Sequence, residues 1–184
     1  MNYRDLIIAK STKGLVPLSD GAGVISAVGD DVEAFEIGNR VVIGFMPGWV
    51  EGEFSAAKQS SALGGGDVNG VLTSSIAVPA TGIVKIPDYM SFEQAATLPC
   101  AGVTAWSALF ERRPVQPGET VLLLGTGGVS IFALQLAKAS GARLSSRLVR
   151  MKNWSVHVLS VQTTWSTTVP AQIGLRKFAI SPTD

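Results

Sequence analysis

The segment Glu119–Ala142, ETVLLLGTGGVSIFALQLAKASGA, constrains this chain more than any other. Its opening run, Glu119–Leu124, fits a strand buried on both faces of a parallel sheet. Gly125-Thr-Gly-Gly-Val-Ser130 follows, a Gly-x-Gly-x-x-Gly pattern with serine in the third place. Apolar Ile131, Leu134, Leu136 and Ala137 then set a helical spacing. Strand, glycine-rich turn and helix in this order are the first half of a βαβ unit.

Each residue of the turn has a physical task. Gly125 permits the tight turn. Gly127 lets the backbone approach a pyrophosphate with no Cβ in the way. Gly128, Val129 and Ser130 open the helix, whose free amides and positive dipole end suit an anion. Ser130 replaces the glycine that lets helix and strand pack closely; it is small, so the replacement costs little. These five glycine-turn residues are the candidate cofactor contacts. The residues also fit a strand–turn–helix corner whose glycines serve packing alone. The acidic residue that such a unit places about 20 positions further on is missing.

Composition narrows the class. Hydrophobic residues make up 46% and charged residues 16%, which suits a packed chain rather than a disordered one. The formal charge of +1 offers no field for nucleic acid or an anionic membrane. No apolar run approaches the ~18 residues of a membrane span, and no signal peptide is visible. A single cysteine excludes an internal disulfide and fits a reducing, cytoplasmic setting. The charge is uneven. Residues 1–142 carry 9 Lys+Arg against 13 Asp+Glu, whereas residues 143–184 carry 6 against the single acid Asp184. That shift marks a boundary.

Along the chain, Gly23–Val28 and Asn39–Phe45 read as β-branched strands between glycine turns, as in a small barrel. Residues 47–70 read as a Gly/Ser-rich loop, with short strands near Ser75–Val78 and Gly82–Lys85. Ser91-Phe-Glu-Gln94 is a capping box that opens a helix, which Pro99 stops. A second helix is predicted over Gly102–Glu111, with Val103, Trp106, Leu109 and Phe110 on its apolar face.

Four segments in order resemble the medium-chain dehydrogenase/reductase superfamily, in particular its zinc-free quinone-oxidoreductase-like members. They are Asn2–Asp5 (NYRD), Pro17–Val41, Ser91–Trp106 and Pro117–Ala142. The resemblance implies a mixed fold: a partial GroES-like β-barrel over residues 1–90, then hinge helices and the first βα unit of a Rossmann α/β domain over 91–142. An atypical tail, 143–184, follows. It also implies an NADP or NAD cofactor, hydride transfer to a quinone, enone or aldehyde, and a small-molecule substrate. Self-association into a homo-oligomer is left open. By the same resemblance Asn2 and Tyr3 are the catalytic candidates, hydrogen-bond donors near the nicotinamide. Asp5 orients its neighbours, and Thr104 contacts the nicotinamide end of the cofactor.

Zinc is where the chain departs from its zinc-dependent relatives. They place Cys where Asn2 stands and a His-Glu pair where Ser19-Asp20 stand. Cys100 matches a remaining ligand position but lacks companions, since the chain holds one Cys and one His. The expected metal is therefore none, with Cys100 a small buried residue at the hinge.

The chain reads as truncated at both ends relative to this family, and its tail does not resemble it. Read out of frame with suitable third bases, Ser145–Val169 can encode VVTSSANEELERARSLGADHVVNYR, the string the resemblance implies there. The tail is thus read as a frameshift product. The other reading is a genuine basic segment in which Arg147 and Arg150 hold a 2′-phosphate. His157 has no nearby catalytic partner. Two functions follow: an NAD(P)H-dependent oxidoreductase, or a non-catalytic remnant with little or no cofactor binding.

Overall fold

The computed structural model describes residues 2–11 and 14–147. The predicted tail features beyond Arg147, including Arg150 and His157, lie outside the described residues.

The chain opens with helix α1, Tyr3–Ser11. Asp5, in its first turn, accepts from the Asn2 amide at 2.6 Å, the reach-back half of a capping box. Three short strands follow: β1 (Gly21–Val24), β2 (Arg40–Ile43) and β3 (Ile83–Lys85). They form an antiparallel sheet in the order β1-β2-β3. Between β2 and β3 lies a one-turn helix α2, Ala56–Gln59, whose N-cap is Ser55. Val42, Ile86 and Ala95 form the core of this half, with Ala22, Met90 and Phe92 packed around them. Arg40 anchors it: the guanidinium lies 4.6 Å from the Phe92 ring centroid and donates to the Met90 carbonyl at 2.6 Å.

The expected barrel is a three-stranded sheet here, not a closed barrel, among the described residues. Its strands are shorter than predicted. Beyond Val24, Ile25 keeps two backbone bonds, to Asn39 and Gly38, and then the chain leaves the ladder. Ser75–Val78 forms no strand, although its β-branched residues predicted one.

The second half is helical and then α/β. Ser91 and Gln94 make both bonds of the predicted capping box and open α3, Phe92–Ala95. Pro99 does not end the helical region. It sits at the start of a π-helical turn, Leu98–Gly102, which leads through α4 (Val103–Trp106) into a second π turn, Ser107–Glu111. A proline in a first turn forfeits no intrahelical bond, because that amide has no partner there anyway.

Strand β4 (Thr120–Leu124) and strand β5 (Arg143–Arg147) pair in parallel, joined by helix α5 (Gly128–Ala139). This is the βαβ unit the glycine turn predicted. Its core is Ala105, Leu109, Leu123, Ala133, Ala137 and Ala142. Two expectations are corrected. On the 98–111 helical run the buried face is Ala101, Ala105 and Leu109, while Val103 and Trp106 are exposed. Small side chains let the run and α5 approach closely, and the bulky ones turn outward. On β4 only Leu123 is buried; Leu122 and Leu124 are 59% and 61% exposed. Helix α5 covers one face, so β4 is not buried on both.

Candidate functional site

Two groups of residues carry the chemistry. The first is a polar cluster around Asn2. Leu18 takes a left-handed backbone, φ 73°, which costs a non-glycine residue roughly 1–2 kcal/mol. The turn is held by its neighbours. Val16, Pro17 and Leu18 offer carbonyls to the amides of Gly70, Leu72 and Val71 at 2.7, 3.1 and 2.9 Å. Gly64 and Gly70 pass so close that a Cβ at either would collide with the Leu18 carbonyl oxygen. From this turn the chain enters Ser19 and Asp20, both buried.

There Asn2 meets them. Its Nδ2 donates to Asp20 Oδ2 at 2.6 Å and to Ser19 Oγ at 3.5 Å, and Ser19 donates to Asp20 Oδ1 at 3.0 Å. The carboxylate can only accept, so it fixes which end of the amide is nitrogen. Asp5, 3% exposed, joins from α1 with Arg4 at 3.3 Å. Arg4 also lies 4.7 Å from the Phe45 ring centroid and donates to the Leu63 carbonyl at 3.4 Å. Cys100 lies in the field of this cluster. Burial pushes its thiol up, the Asp20 and Asp5 charges push the same way, and Arg4 opposes them.

This arrangement bears on the predicted donors. Both N–H bonds of the Asn2 side chain are directed at Asp20 and Ser19. Asn2 is thus not the free donor that sequence reasoning expected. Tyr3 stands on α1 and is 80% exposed. The Asn2–Asp5 spacing is the sequence signal that could have revealed the cap; nothing local links Asn2 to Asp20.

A metal fits this cluster poorly. Among the described residues no three His, Cys, Asp or Glu side chains gather as a cage. An amide and a hydroxyl stand with Asp20, and the three satisfy one another.

The second group is the glycine turn. Gly125 has φ +76°, the left-handed conformation that glycine adopts without penalty. A Cβ at Gly125 or Gly127 would meet nothing within 4 Å, so the space beside both is open. Gly127 is the N-cap of α5 and no side chain caps the helix. The first amides, at Gly128, Val129 and Ser130, have no intrahelical acceptor. An open backbone beside a 12-residue helix start suits an anionic phosphate. Gly128 does different work: a Cβ there would lie 3.3 Å from the Ala101 Cβ, so it is where α5 presses against the helical run. Ser130 Oγ donates to the Leu124 carbonyl at 2.8 Å and ties the helix start to the strand end, a role its sequence pattern did not disclose. Thr104 is exposed, one turn beyond Ala101. Across the sheet, Arg147 is the register partner of Leu124.

The structure therefore brings Asn2, Ser19, Asp20, Asp5 and Arg4 together, and their charges reach Cys100. Through the adjacent Ala101 it joins that region to the glycine turn.

The chain is similar to several known proteins. Residues 1–88 match the family model of the alcohol dehydrogenase GroES-like domain. A zinc-type alcohol dehydrogenase-like protein of Schizosaccharomyces pombe is 49% identical over 156 residues, which are 79% of this chain and 44% of that protein. A solved quinone oxidoreductase of Pseudomonas syringae pv. tomato DC3000 superposes with a TM-score of 0.59 at 31% identity, over 79% of this chain and 40% of its own. A solved NAD-dependent alcohol dehydrogenase gives 0.67 at 31% identity, over 79% of this chain and 46% of its own. The chain spans under half the length of each of these relatives.

Proposed function

We propose that the chain, whose residues 1–88 match the alcohol dehydrogenase GroES-like domain, belongs to the medium-chain dehydrogenase/reductase superfamily and descends from an NAD(P)H-dependent, zinc-independent oxidoreductase acting on a quinone, enone or aldehyde. Residues 1–90 are its partial GroES-like barrel, and residues 91–142 are the hinge and the first unit of a Rossmann domain. The observation that carries the reading is the open, uncapped helix start at Gly127, packed through Gly128 against the run that bears Cys100 and Thr104.

The cofactor fits the residues present. Gly125, Gly127 and the amides of Gly128, Val129 and Ser130 would hold its pyrophosphate, with Thr104 toward the nicotinamide. When bound, a nicotinamide supplies the hydride. The chain's own residues bind and orient. Tyr3 carries the hydroxyl that can donate to a substrate carbonyl. Asn2, anchored by Asp20 and Ser19, holds the start of α1 and so positions Tyr3 beside it. No step is assigned to a metal, since an amide and a hydroxyl stand where cysteine and histidine ligands would be needed. The cofactor is NADP or NAD, so both are tested.

Titration of NADPH and of NADH into the full chain, followed by nucleotide fluorescence, tests the reading. Saturable binding that a bulky residue at Gly127 weakens supports it; a flat titration with both sinks it. The second reading is a non-catalytic remnant with little or no cofactor binding. The frame-shifted reading of Ser145–Val169 supports the same view. Sequencing the coding DNA tests it: the remnant reading expects GADHVVNY in an alternative frame, and its absence would make the basic tail genuine.

A further inference from the structure

Residues 46–62 form a closed loop whose neck lies beside the polar cluster. Leu63 donates to the Phe45 carbonyl at 3.0 Å, and Gly48 donates to Ser61 Oγ at 3.1 Å, so the two ends meet as in an Ω-loop. Arg4 holds that neck through the Phe45 ring and the Leu63 carbonyl.

The tip of the loop is built around one cation. Ser55 caps α2 by accepting from the Lys58 amide at 3.3 Å. The Lys58 side chain then reaches back, and its Nζ donates to the carbonyls of Glu51 at 2.6 Å and Glu53 at 2.5 Å. The Trp49 ring centroid lies 5.8 Å from the same nitrogen. The carbonyl between them, at Gly52, accepts from the Trp49 indole N–H at 2.9 Å. Gly52 makes this curl possible with φ +73°, and a Cβ there would lie 3.4 Å from Nζ. Phe54 meets Trp49 edge-on at 5.7 Å between centroids and closes the apolar side.

We propose that residues 49–54 are a primary-ammonium site, filled in cis by Lys58, and that this ammonium holds the loop in its shape. The chemistry selects the ligand. Two carbonyl dipoles of one short turn converge on a point, and such oxygens repel unless a cation or donor lies between them. An ammonium brings three donors on one compact charge: two are used by the carbonyls, and a ring face beside them attracts the remaining positive charge. A neutral amide supplies neither the charge nor the third donor. The site is separate from the glycine turn and does not depend on cofactor binding.

The test is cleavage of the full chain by a glutamate-specific protease, which cuts after Glu51 and Glu53. Lys58→Ala empties the site, and cleavage there is expected to accelerate by about tenfold or more, since cutting follows the open population of the loop. Adding propylammonium chloride replaces the lost group in trans and is expected to bring the rate back most of the way; sodium chloride at equal ionic strength does not. Lys58→Gln retains length without charge and should behave like the alanine variant. Wild-type cleavage rates in both variants overturn the proposal, as does acceleration that propylammonium slows no better than sodium. Nitrogen-15 NMR of the unaltered chain decides the matter if a variant fails to fold. The Lys58 ammonium should exchange with water more slowly than solvent lysines and show contacts to the Trp49 indole; exchange at the solvent rate refutes the site.

Discussion

A Cβ built on Gly128 comes within 3.3 Å of the Ala101 Cβ, whereas one built on neighbouring Gly127 meets nothing within 4 Å. Two adjacent glycines thus do opposite things: one lets two helical segments touch, the other leaves room beside the backbone. Gly128→Leu forces the segments apart and is expected to cost about 1–3 kcal/mol, the usual range for overpacking. Urea unfolding measures it; a shift in midpoint no larger than that of an exposed-site control contradicts the packing role.

Gly127→Leu should cost no more than about 1 kcal/mol, the loss of a glycine helix cap, because its backbone φ of −72° is open to any residue and nothing crowds it. It should weaken NADPH or NADH binding by about tenfold or more by filling the approach to the helix start. Loss of stability without loss of binding would reverse the assignments of the two glycines.

Ser130→Ala removes the 2.8 Å bond to the Leu124 carbonyl. The expected cost is about 0.5–1.5 kcal/mol, that of one neutral hydrogen bond. Amide exchange on β4 and at the start of α5 should report it locally.

Asn2→Asp sets a carboxylate against Asp20, where the amide nitrogen now sits at 2.6 Å. Like charges at that distance destabilise the cluster. Asp20→Asn in the same chain restores an amide–carboxylate pair with its polarity reversed, so the double variant should recover much of what the first change loses. Additive losses would mean the two residues do not interact.

Cys100 is the one cysteine of the chain, so its alkylation is unambiguous. Its thiol is pushed up, first by burial and then by Asp20. The reactive thiolate is therefore scarcer at pH 8 than in a free cysteine, and the rate of reaction with iodoacetamide should keep rising to higher pH. Removing the Asp20 charge takes away one of the raising causes, so Asp20→Asn should react faster at pH 8. Cys100 is half-buried rather than the fully buried residue the sequence suggests, and a rate profile matching free cysteine contradicts even that setting.

The strand–turn–helix of Glu119–Ala142 and the capping box at Ser91 were legible because each is decided within a few residues. Glycine's tolerance of positive φ, the reach of a side chain one turn along, and an apolar period all act over such short windows. The strand ends were less legible. Val28 and Val78 carry β-branched side chains, but a strand needs a partner, and the described sheet offers none at either place.

The site was mostly illegible for the same reason. Asn2 and Asp20 stand 18 positions apart, and their bond depends on Leu18's left-handed turn being held by the backbone of residues 70–72. From the sequence Asn2 was a donor; only packing reveals that its donors are already spent. Which face of the 98–111 run is buried was likewise settled by fit. Close approach to α5 favours Ala101 and Ala105 over the larger Val103 and Trp106, which hydrophobicity alone ranks higher. By itself the sequence determined the local turns and the family resemblance they carry. Tertiary structure decided which polar groups meet and which glycine is space rather than contact, because both depend on distances between segments that local rules do not reach.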